Sequence, residues 1–225
     1  ESTGYINELS NKFYFNDTVN CGCEDYSIFK EKKISNYYLT IADTHLNFSK
    51  NLDFKEVKSF FEIGGGFGAN VHFIIENYPN IKKIIYLDLP VNLYIATQYL
   101  KNFYGDSVKD YLINQNDKIH FQNNDTLEII CIPPWKITDI DTKIDLFQNS
   151  NSFVEMPTEI IKNYSLHIKR CMHSKSKIAL SSYGDFNNNT TFDPKLLREY
   201  FDSSFDLITY PSMIPKRKNI FLISK

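Results

Sequence analysis

The chain has 225 residues, 42% of them hydrophobic, which is enough to bury the core of one α/β domain. Its formal net charge of −2 argues against nucleic acid as a partner, because binding a polyanion usually needs clustered lysine and arginine. The sequence has no run of 18 apolar residues and no signal-peptide pattern, so we expect a cytoplasmic protein without membrane insertion.

The four cysteines are too few and too scattered for a disulfide framework. Cys21 and Cys23 could supply half of a metal site, but no second pair of cysteine or histidine stands at ligand spacing. Close pairs of carboxylates are also missing, apart from two acids that we assign to a ligand below. We therefore expect no metal ion.

The first part of the chain differs in character from the rest. Residues 1–55 are polar and aromatic, with short helical patterns and no strand signal, so we predict a helical cap that belongs to the same domain as the core at 56–225. The sequence begins without methionine, and we expect residues before Glu1 in the natural protein.

From residue 56, short apolar runs alternate with amphipathic stretches, as is typical of βαβ units and a mainly parallel sheet. Seven strands are predicted, at 57–63, 81–89, 118–123, 143–150, 176–183, 205–210 and 219–225. Helices are predicted at 67–78, 91–103, 155–172 and 193–201. The last two strands have too short a connection for a parallel crossover, which predicts an antiparallel C-terminal hairpin on a sheet with helices on both faces.

A glycine-rich segment, Glu62-Ile63-Gly64-Gly65-Gly66-Phe67-Gly68, follows the first predicted strand of the core. Four glycines in five residues indicate backbone that turns sharply and comes close to a ligand. Gly64, Gly66 and Ala69 also fit the dinucleotide pattern G-x-G-x-x-A, so the glycines alone leave more than one cofactor open. We predict that the cofactor contacts Glu62, Gly64, Gly65, Gly66, Phe67 and Gly68.

Two acidic residues narrow the choice of cofactor. A carboxylate at Glu62 would repel a pyrophosphate and attract an amino-bearing ligand. Asp88 ends the second predicted strand, 20 residues after Gly68, and is placed to accept hydrogen bonds from both ribose hydroxyls, with Leu89 beside it. Together with the terminal hairpin, these residues favour S-adenosylmethionine, with S-adenosylhomocysteine as product, over NAD.

The expected fold is therefore α/β, of the Rossmann-like class I methyltransferase kind. Asp125 and Thr126 follow the third predicted strand, at the end where open α/β sheets bind ligands, and we expect them near the adenine. An NAD-dependent oxidoreductase and a non-catalytic methyltransferase-like subunit remain alternatives.

Four segments in the order FFEIGGGFGANVHFI, YLDLPVNLYIATQYL, CIPPWKI and IDLFQNSNSFVEM resemble the sugar O-methyltransferases of bacterial polysaccharide loci. The resemblance covers about residues 56–165. It implies methyl transfer to a hydroxyl of a sugar or of a nucleotide-activated precursor of capsule or surface polysaccharide. Asp88-Leu89-Pro90 also resembles small-molecule O-methyltransferases in general, so a non-sugar acceptor with a phosphate-like oxygen stays open.

A sugar hydroxyl is a poor nucleophile at neutral pH, and a neighbouring base would activate it. Of the five histidines, His45 lies in the segment expected to fold over the cofactor, and we predict it as a catalytic residue. We also predict Glu155, which follows the fourth strand where a helix is expected to begin. The remaining histidines are interpreted as structural or surface residues.

The region around the fourth strand is expected to face the reacting sulfonium. We predict that Gln148 contacts the cofactor and that Asn149 and Ser152 hold the acceptor by hydrogen bonds. Trp135 follows two prolines and is predicted as a rigid wall for adenine or sugar, with a core position as the alternative.

Overall fold

The computed structural model describes residues 2–15, 25–29, 31–112, 118–183, 197–201, 205–211 and 218–224. The helices in these ranges are α1 (Ser2–Lys12), α2 (Asn36–Phe48), α3 (Ala69–Asn77), α4 (Pro90–Tyr104), α5 (Thr158–Cys171) and α6 (Leu197–Tyr200). The strands are β1 (Tyr26–Phe29), β2 (Lys32–Ser35), β3 (Ser59–Ile63), β4 (Lys83–Leu87), β5 (Val108–Lys109), β6 (Glu128–Ile132), β7 (Ile144–Ser150), β8 (Met172–Tyr183), β9 (Phe205–Pro211) and β10 (Lys218–Ser224). None of the helices in the described ranges is long and apolar enough to cross a membrane. The pair Cys21 and Cys23 lies outside the described residues.

Eight of the described strands form one mainly parallel sheet, in the order β5-β6-β4-β3-β7-β8-β10-β9. β3 is parallel to both β4 and β7, whereas β10 runs antiparallel to β8 and β9. The chain order therefore reverses at β3. The carboxyl ends of β3, β4, β6 and β7 share one edge of the sheet, called here the carboxyl edge, where ligands bind in open α/β sheets.

Both faces of this sheet are covered by apolar side chains. Alternate residues of β3 point to opposite faces, so Phe60 packs with residues of α3 and α4, and Phe61 packs with residues of α5. Both phenylalanines are fully buried. The central strand is therefore held from two sides, and the loop that follows it starts from a rigid position.

The third predicted strand is wrong, and the described sheet has one strand more than the predicted seven. Within 118–123, Ile119 makes only an isolated bridge to Ile140, and the strand that pairs with β4 is β6 (Glu128–Ile132). β6 lies between β4 and β5 with all its residues buried. A strand that is buried on both faces lacks the alternation of apolar and polar residues that marks a half-buried strand. A search for this alternation therefore selects 118–123 and passes over β6.

The segment predicted as a purely helical cap also contains an antiparallel pair, β1 with β2. At the end of β2, Ser35 caps α2, because its Oγ accepts a hydrogen bond from the backbone amide of Tyr38 at 3.0 Å. α2 then packs against α3 through buried aromatic side chains, among them Tyr38 and Phe73, whose ring centroids are 5.5 Å apart. This packing brings α2 beside the carboxyl edge.

Candidate ligand site at the carboxyl edge

The loop between β3 and α3 turns on glycines. Gly64 has a φ of +76°, in the left-handed region that glycine adopts readily. A Cβ on Gly64 would collide with the side chain of Ser152, and a Cβ on Gly65 would lie 2.5 Å from Oε2 of Glu62. A side chain at Gly64 is therefore disfavoured both by the backbone conformation and by its neighbour, and one at Gly65 by its neighbour.

Asp88, the residue after β4, holds the glycine loop from the neighbouring strand. Its Oδ2 accepts a hydrogen bond from the backbone amide of Gly66 at 2.9 Å and lies 2.8 Å from the hydroxyl of Tyr86. Its Oδ1 accepts a hydrogen bond from the amide of Leu89 at 2.7 Å. Asp88 is only 4% exposed, so the orientation of its carboxylate is fixed by the protein itself.

Glu62, near the end of β3, is a buried carboxyl group beside the loop. Its Oε1 accepts a hydrogen bond from Nδ2 of Asn70 at 2.7 Å, whereas Oε2 has no partner among the described residues. Burial raises the pKa of Glu62 to about 8; the charge of Asp88 adds to this shift and the hydrogen bond from Asn70 opposes it. A donor or cation next to Oε2 would satisfy this oxygen.

His45 of α2 extends this set of hydrogen bonds into the core. Its Nε2 lies 2.8 Å from Oδ1 of Asn70, and its ring centroid is 4.8 Å from that of Phe73. Burial lowers the pKa of His45 to about 4, despite the hydrogen bond to Asn70, and the side chain is 0% exposed. The prediction that His45 is the catalytic base is therefore wrong, because packing of α2 on α3 encloses the ring away from a ligand.

Two cavities flank Gly64, which contributes to the lining of both. The larger, of about 410 Å³, is mostly apolar, and Asp88 and Glu155 are its charged side chains. The smaller, of about 80 Å³, is lined by several side chains that carry polar groups. Its lining includes Tyr37, Thr40 and Thr44 from α2, Glu62 and Asn70 from the glycine-loop region, and Ser150 and Asn151 after β7.

Asn149 and Ser152, predicted to hold the acceptor, instead fasten the end of β7 to the end of β3. Asn149 is 1% exposed, and its Nδ2 donates to the carbonyl oxygen of Ile63 at 2.8 Å. The hydroxyl of Ser152 donates to the same oxygen at 3.2 Å. Their hydrogen bonds are used inside the protein, and the two residues between them, Ser150 and Asn151, face the smaller cavity.

Gln148 is too buried for its predicted contact with the cofactor, and Trp135 is too exposed for a core position. Gln148 is fully buried, with its Nε2 donating to Oγ of Ser150 at 3.3 Å, and it lines neither cavity, so a direct cofactor contact is not supported by its position. Trp135 is 66% exposed in the 3-10 turn after β6, which rules out the alternative of a core position. Its neighbour Pro134 lines the larger cavity.

Asp125 and Thr126 lie at the wrong end of the sheet for an adenine contact. Because they precede β6 and do not follow it, they stand at the amino edge, opposite the carboxyl edge. Oδ2 of Asp125 is paired with Nζ of Lys82 at 2.6 Å in solvent, and its side chain is 92% exposed. The predicted role of these two residues fails together with the predicted third strand.

The other predicted residues lie at the carboxyl edge. Leu89 is 62% exposed and lines the larger cavity, and the ring of Phe67 packs 5.6 Å from that of Tyr37 of α2. Glu155 is exposed and lines the larger cavity, but it ends a 3-10 turn (Ser152–Glu155) and does not begin α5, which starts at Thr158. A helix-dipole effect of α5 on Glu155 is therefore not expected.

The histidines interpreted as structural lie away from both cavities. Nδ1 of the buried His72 is 2.9 Å from the hydroxyl of Tyr99. Nε2 of His173 pairs with Oδ1 of Asp145 at 2.8 Å, at the start of β7 and so at the amino edge of the sheet. No histidine of the described residues lines either cavity, so the candidate site offers carboxyl, hydroxyl and amide groups for proton transfer and binding.

Several residues that line the two cavities were not predicted from the sequence. Tyr37, Thr40 and Thr44 recur at helical spacing on one face of α2, and this period could have identified them once α2 was placed over the site. Asn151 adopts a φ of +67°, a conformation in which asparagine is enriched. Ile160 and Tyr164 form one face of α5 toward the larger cavity. Asn70 carries no comparable signal, because its contact with Glu62 depends on the loop conformation.

The first part of the chain is similar to a known protein family. Residues 9–111, slightly under half of the chain, match the O-methyltransferase domain family. This range contains α2, the glycine loop, Glu62 and Asp88. A caffeic acid 3-O-methyltransferase from Capsicum chinense is 34% identical over 85 residues, which are 38% of this chain and 20% of that protein. The match thus spans about a fifth of the curated relative.

Solved methyltransferase structures share the fold. PigF with S-adenosylhomocysteine superposes with a TM-score of 0.54 at 13% identity, over 84% of this chain and 60% of PigF. The magnesium protoporphyrin IX methyltransferase ChlM from Synechocystis PCC 6803 with bound S-adenosylmethionine gives a TM-score of 0.53 at 11% identity, over 84% of this chain and 79% of ChlM. The chain therefore has the Rossmann-like class I methyltransferase fold with a mainly parallel sheet.

Proposed function

We propose that this chain binds S-adenosylmethionine along the carboxyl edge and transfers its methyl group to a hydroxyl oxygen of a small-molecule acceptor. The main support is the unpartnered Oε2 of Glu62, buried beside Gly65 at the smaller cavity. The α-ammonium group of the methionine moiety would pair with this oxygen. A pyrophosphate has no donor for this oxygen and would oppose ionisation of the carboxyl, which disfavours an NAD-dependent oxidoreductase. The family match over residues 9–111 supports the same assignment.

The adenosine half of the ligand fits the larger cavity. Its volume of about 410 Å³ is in the range of small-molecule sites. Asp88 lines it with a carboxylate that already contacts the amides of Gly66 and Leu89, the hydroxyl of Tyr86 and, at 3.3 Å, Nδ2 of Asn92. A ribose hydroxyl would take the place of the long contact with Asn92. Leu89, Ile160 and Tyr164 supply apolar surface for the adenine ring. Exposed Trp135 would extend this surface at the rim.

S-adenosylmethionine supplies an electrophilic methyl group, and the acceptor oxygen gains the new carbon–oxygen bond as the carbon–sulfur bond breaks. The protein contributes by holding the two reactants in line over Gly64, between the cavities. The hydroxyl proton must leave the acceptor oxygen, and Glu155 is the carboxylate proposed to take it. His45 has no part in this step because its ring is enclosed.

The acceptor proposed here is a sugar or a nucleotide-activated precursor of capsule or surface polysaccharide. Two features support it: the resemblance of the segment at 144–157 to sugar O-methyltransferases, and the hydroxyl and amide groups of Thr40, Thr44, Ser150 and Asn151. The smaller cavity, of about 80 Å³, would hold only the donor's ammonium end, and these groups would meet the acceptor at its mouth. These groups match the many hydroxyls of a sugar. A non-sugar acceptor, with an oxygen that is already anionic, is the second candidate, and it would need no base at Glu155.

Calorimetry with S-adenosylhomocysteine and with NADH tests the donor. We expect S-adenosylhomocysteine to bind and NADH to give no heat, whereas binding of NADH alone, or of neither ligand, would overturn the proposal. Methyl transfer from labelled S-adenosylmethionine to a panel of nucleotide sugars and phenols then tests the acceptor. Product formed only with phenols would reject the sugar while leaving methyl transfer intact.

A further inference from the structure

Three polar side chains from three elements form a continuous set of hydrogen bonds behind the glycine loop. His45 of α2 contacts Asn70 of α3 at 2.8 Å, and Asn70 contacts Glu62 of β3 at 2.7 Å. All three are buried, with exposures of 0%, 7% and 1%. Buried polar groups need partners, and a set of this kind also fixes which atom faces which neighbour.

The direction of these hydrogen bonds follows from the surroundings of His45. Its Nε2 faces Oδ1 of Asn70, so Nε2 carries the proton and donates. Nδ1 of His45 is buried without a partner among the described residues. The reverse direction would place a proton on Nδ1, and a buried N–H group without an acceptor costs more than an unused lone pair.

The tautomer of His45 thereby determines the orientation of the Asn70 amide. With Oδ1 of Asn70 turned to His45, its Nδ2 donates to Oε1 of Glu62. A donated hydrogen bond favours the ionised form of a carboxyl group. It also holds the carboxylate plane so that Oε2 is left for another donor at the smaller cavity.

We propose that His45 and Asn70 are positioning residues that hold Glu62 as an oriented acceptor for the ammonium group of the methyl donor. This inference rests on the proposed function, because it assigns the donor's ammonium to Glu62. It gives His45 a role in binding although its ring is enclosed. A purely structural histidine would support the packing of α2 on α3 without affecting the charge of Glu62.

The inference predicts a pH dependence of ligand binding. Burial raises the pKa of Glu62 to about 8, so most of the carboxyl is protonated at pH 7. The charged or titratable groups around it are Asp88, whose charge raises the pKa further, Tyr86 on the neighbouring strand, His45 through Asn70, and Tyr37 across the smaller cavity. An arriving ammonium favours the ionised form, so binding releases a proton and becomes tighter as the pH rises from 6 to 8.

The test is calorimetry of S-adenosylhomocysteine binding to the purified chain between pH 6 and pH 9, in buffers of different ionisation enthalpy. His45→Phe keeps a planar aromatic ring but removes the donor, which frees the Asn70 amide to turn. If the pKa of Glu62 then rises by about one, its ionised fraction at pH 7 falls about tenfold, and the affinity falls by the same factor. His45→Gln is the matched control, because its amide nitrogen reaches about as far as Nε2 and should restore affinity.

The outcomes separate this inference from the proposed function. If the wild-type chain fails to bind S-adenosylhomocysteine at any pH, the proposed function is wrong. If the wild-type chain binds and His45→Phe binds equally well with the same pH profile, the positioning role is wrong. Thermal unfolding shows whether His45→Phe is folded; should it be unfolded, Asn70→Leu removes the donor to Glu62 directly and must weaken binding and shift the profile upward.

Discussion

Oδ2 of Asp88 accepts a hydrogen bond from the backbone amide of Gly66 at 2.9 Å. The end of β4 thus fixes the loop that follows β3, and the same carboxylate lines the larger cavity. One side chain both shapes the loop and faces the proposed ribose position.

Asp88→Asn is expected to weaken S-adenosylhomocysteine binding by at least about tenfold, because hydrogen bonds to a charged acceptor are worth about 1.5–3 kcal/mol each. Asp125→Asn is the matched control, since Asp125 stands at the opposite edge of the sheet in solvent. Calorimetry of both variants checks this. Equal losses for the two variants would contradict the location of the site.

Gly64→Ala is expected to lower the free energy of unfolding by about 2–4 kcal/mol, since it combines a left-handed backbone with overpacking against Ser152. Gly66→Ala has a similar φ of +65° but open space at the Cβ position, and should cost about 1–2 kcal/mol. Urea unfolding measures both. Adding Ser152→Gly to Gly64→Ala should recover part of the loss, and a strictly additive double variant would exclude the clash.

Glu155→Gln is expected to reduce kcat by about a hundredfold with little change in S-adenosylhomocysteine affinity, if the carboxylate takes the acceptor's proton. Glu159→Gln, an exposed acid in the first turn of α5, is the control. Steady-state kinetics with the best acceptor would measure the effect. An unchanged kcat for Glu155→Gln would favour an acceptor that is already anionic.

Acid is expected to destabilise the fold through Asp145. Burial alone would raise the pKa of Asp145, but hydrogen bonds from His173 and from the backbone amides of Lys58 and Ser59 lower it below its usual value. The stabilisation is therefore complete above the unfolded-state pKa of about 4 and is lost as the pH falls further. Urea unfolding at pH 5 and pH 3 should show a smaller decrease for Asp145→Asn than for the wild type, with Asp141→Asn behaving like the wild type.

Strands were predicted correctly from the sequence where the local hydrophobic pattern agrees with the burial of the residues in the fold. β3 and β4, with the acids at their ends, were predicted because each apolar run is followed by a turn or a helix signal. β6 was missed because the run at 128–132 is short, buried on both faces and followed directly by two prolines. The third strand was predicted before Asp125 and Thr126, whereas β6 follows them. Both residues were therefore expected at the carboxyl edge but lie at the amino edge, and one misplaced strand accounts for two wrong site predictions.

The role of His45 was not accessible from pattern alone. Ten residues of α2 are buried, including polar ones, so the helix has no clear polar face from which the exposure of a histidine could be inferred. Its enclosure comes from contacts with α3 and with Phe54, which lies outside α2. Likewise, Asn149 and Ser152 have the residue types of a binding site, and only the position of the Ile63 carbonyl shows that they are used internally.

Gly64 lies so close to Ser152 that an added Cβ would collide with it, so the glycine loop and the turn after β7 leave no free space between them. The loop that faces the proposed donor and the turn that faces the proposed acceptor fill adjoining space, and both Asn149 and Ser152 are tied to Ile63. Neither wall can be reshaped without displacing the other. Insertions or enlarged side chains in the turn at 150–155 would therefore disturb the donor loop before they altered acceptor preference, and changes of acceptor are better sought on α2, across the cleft.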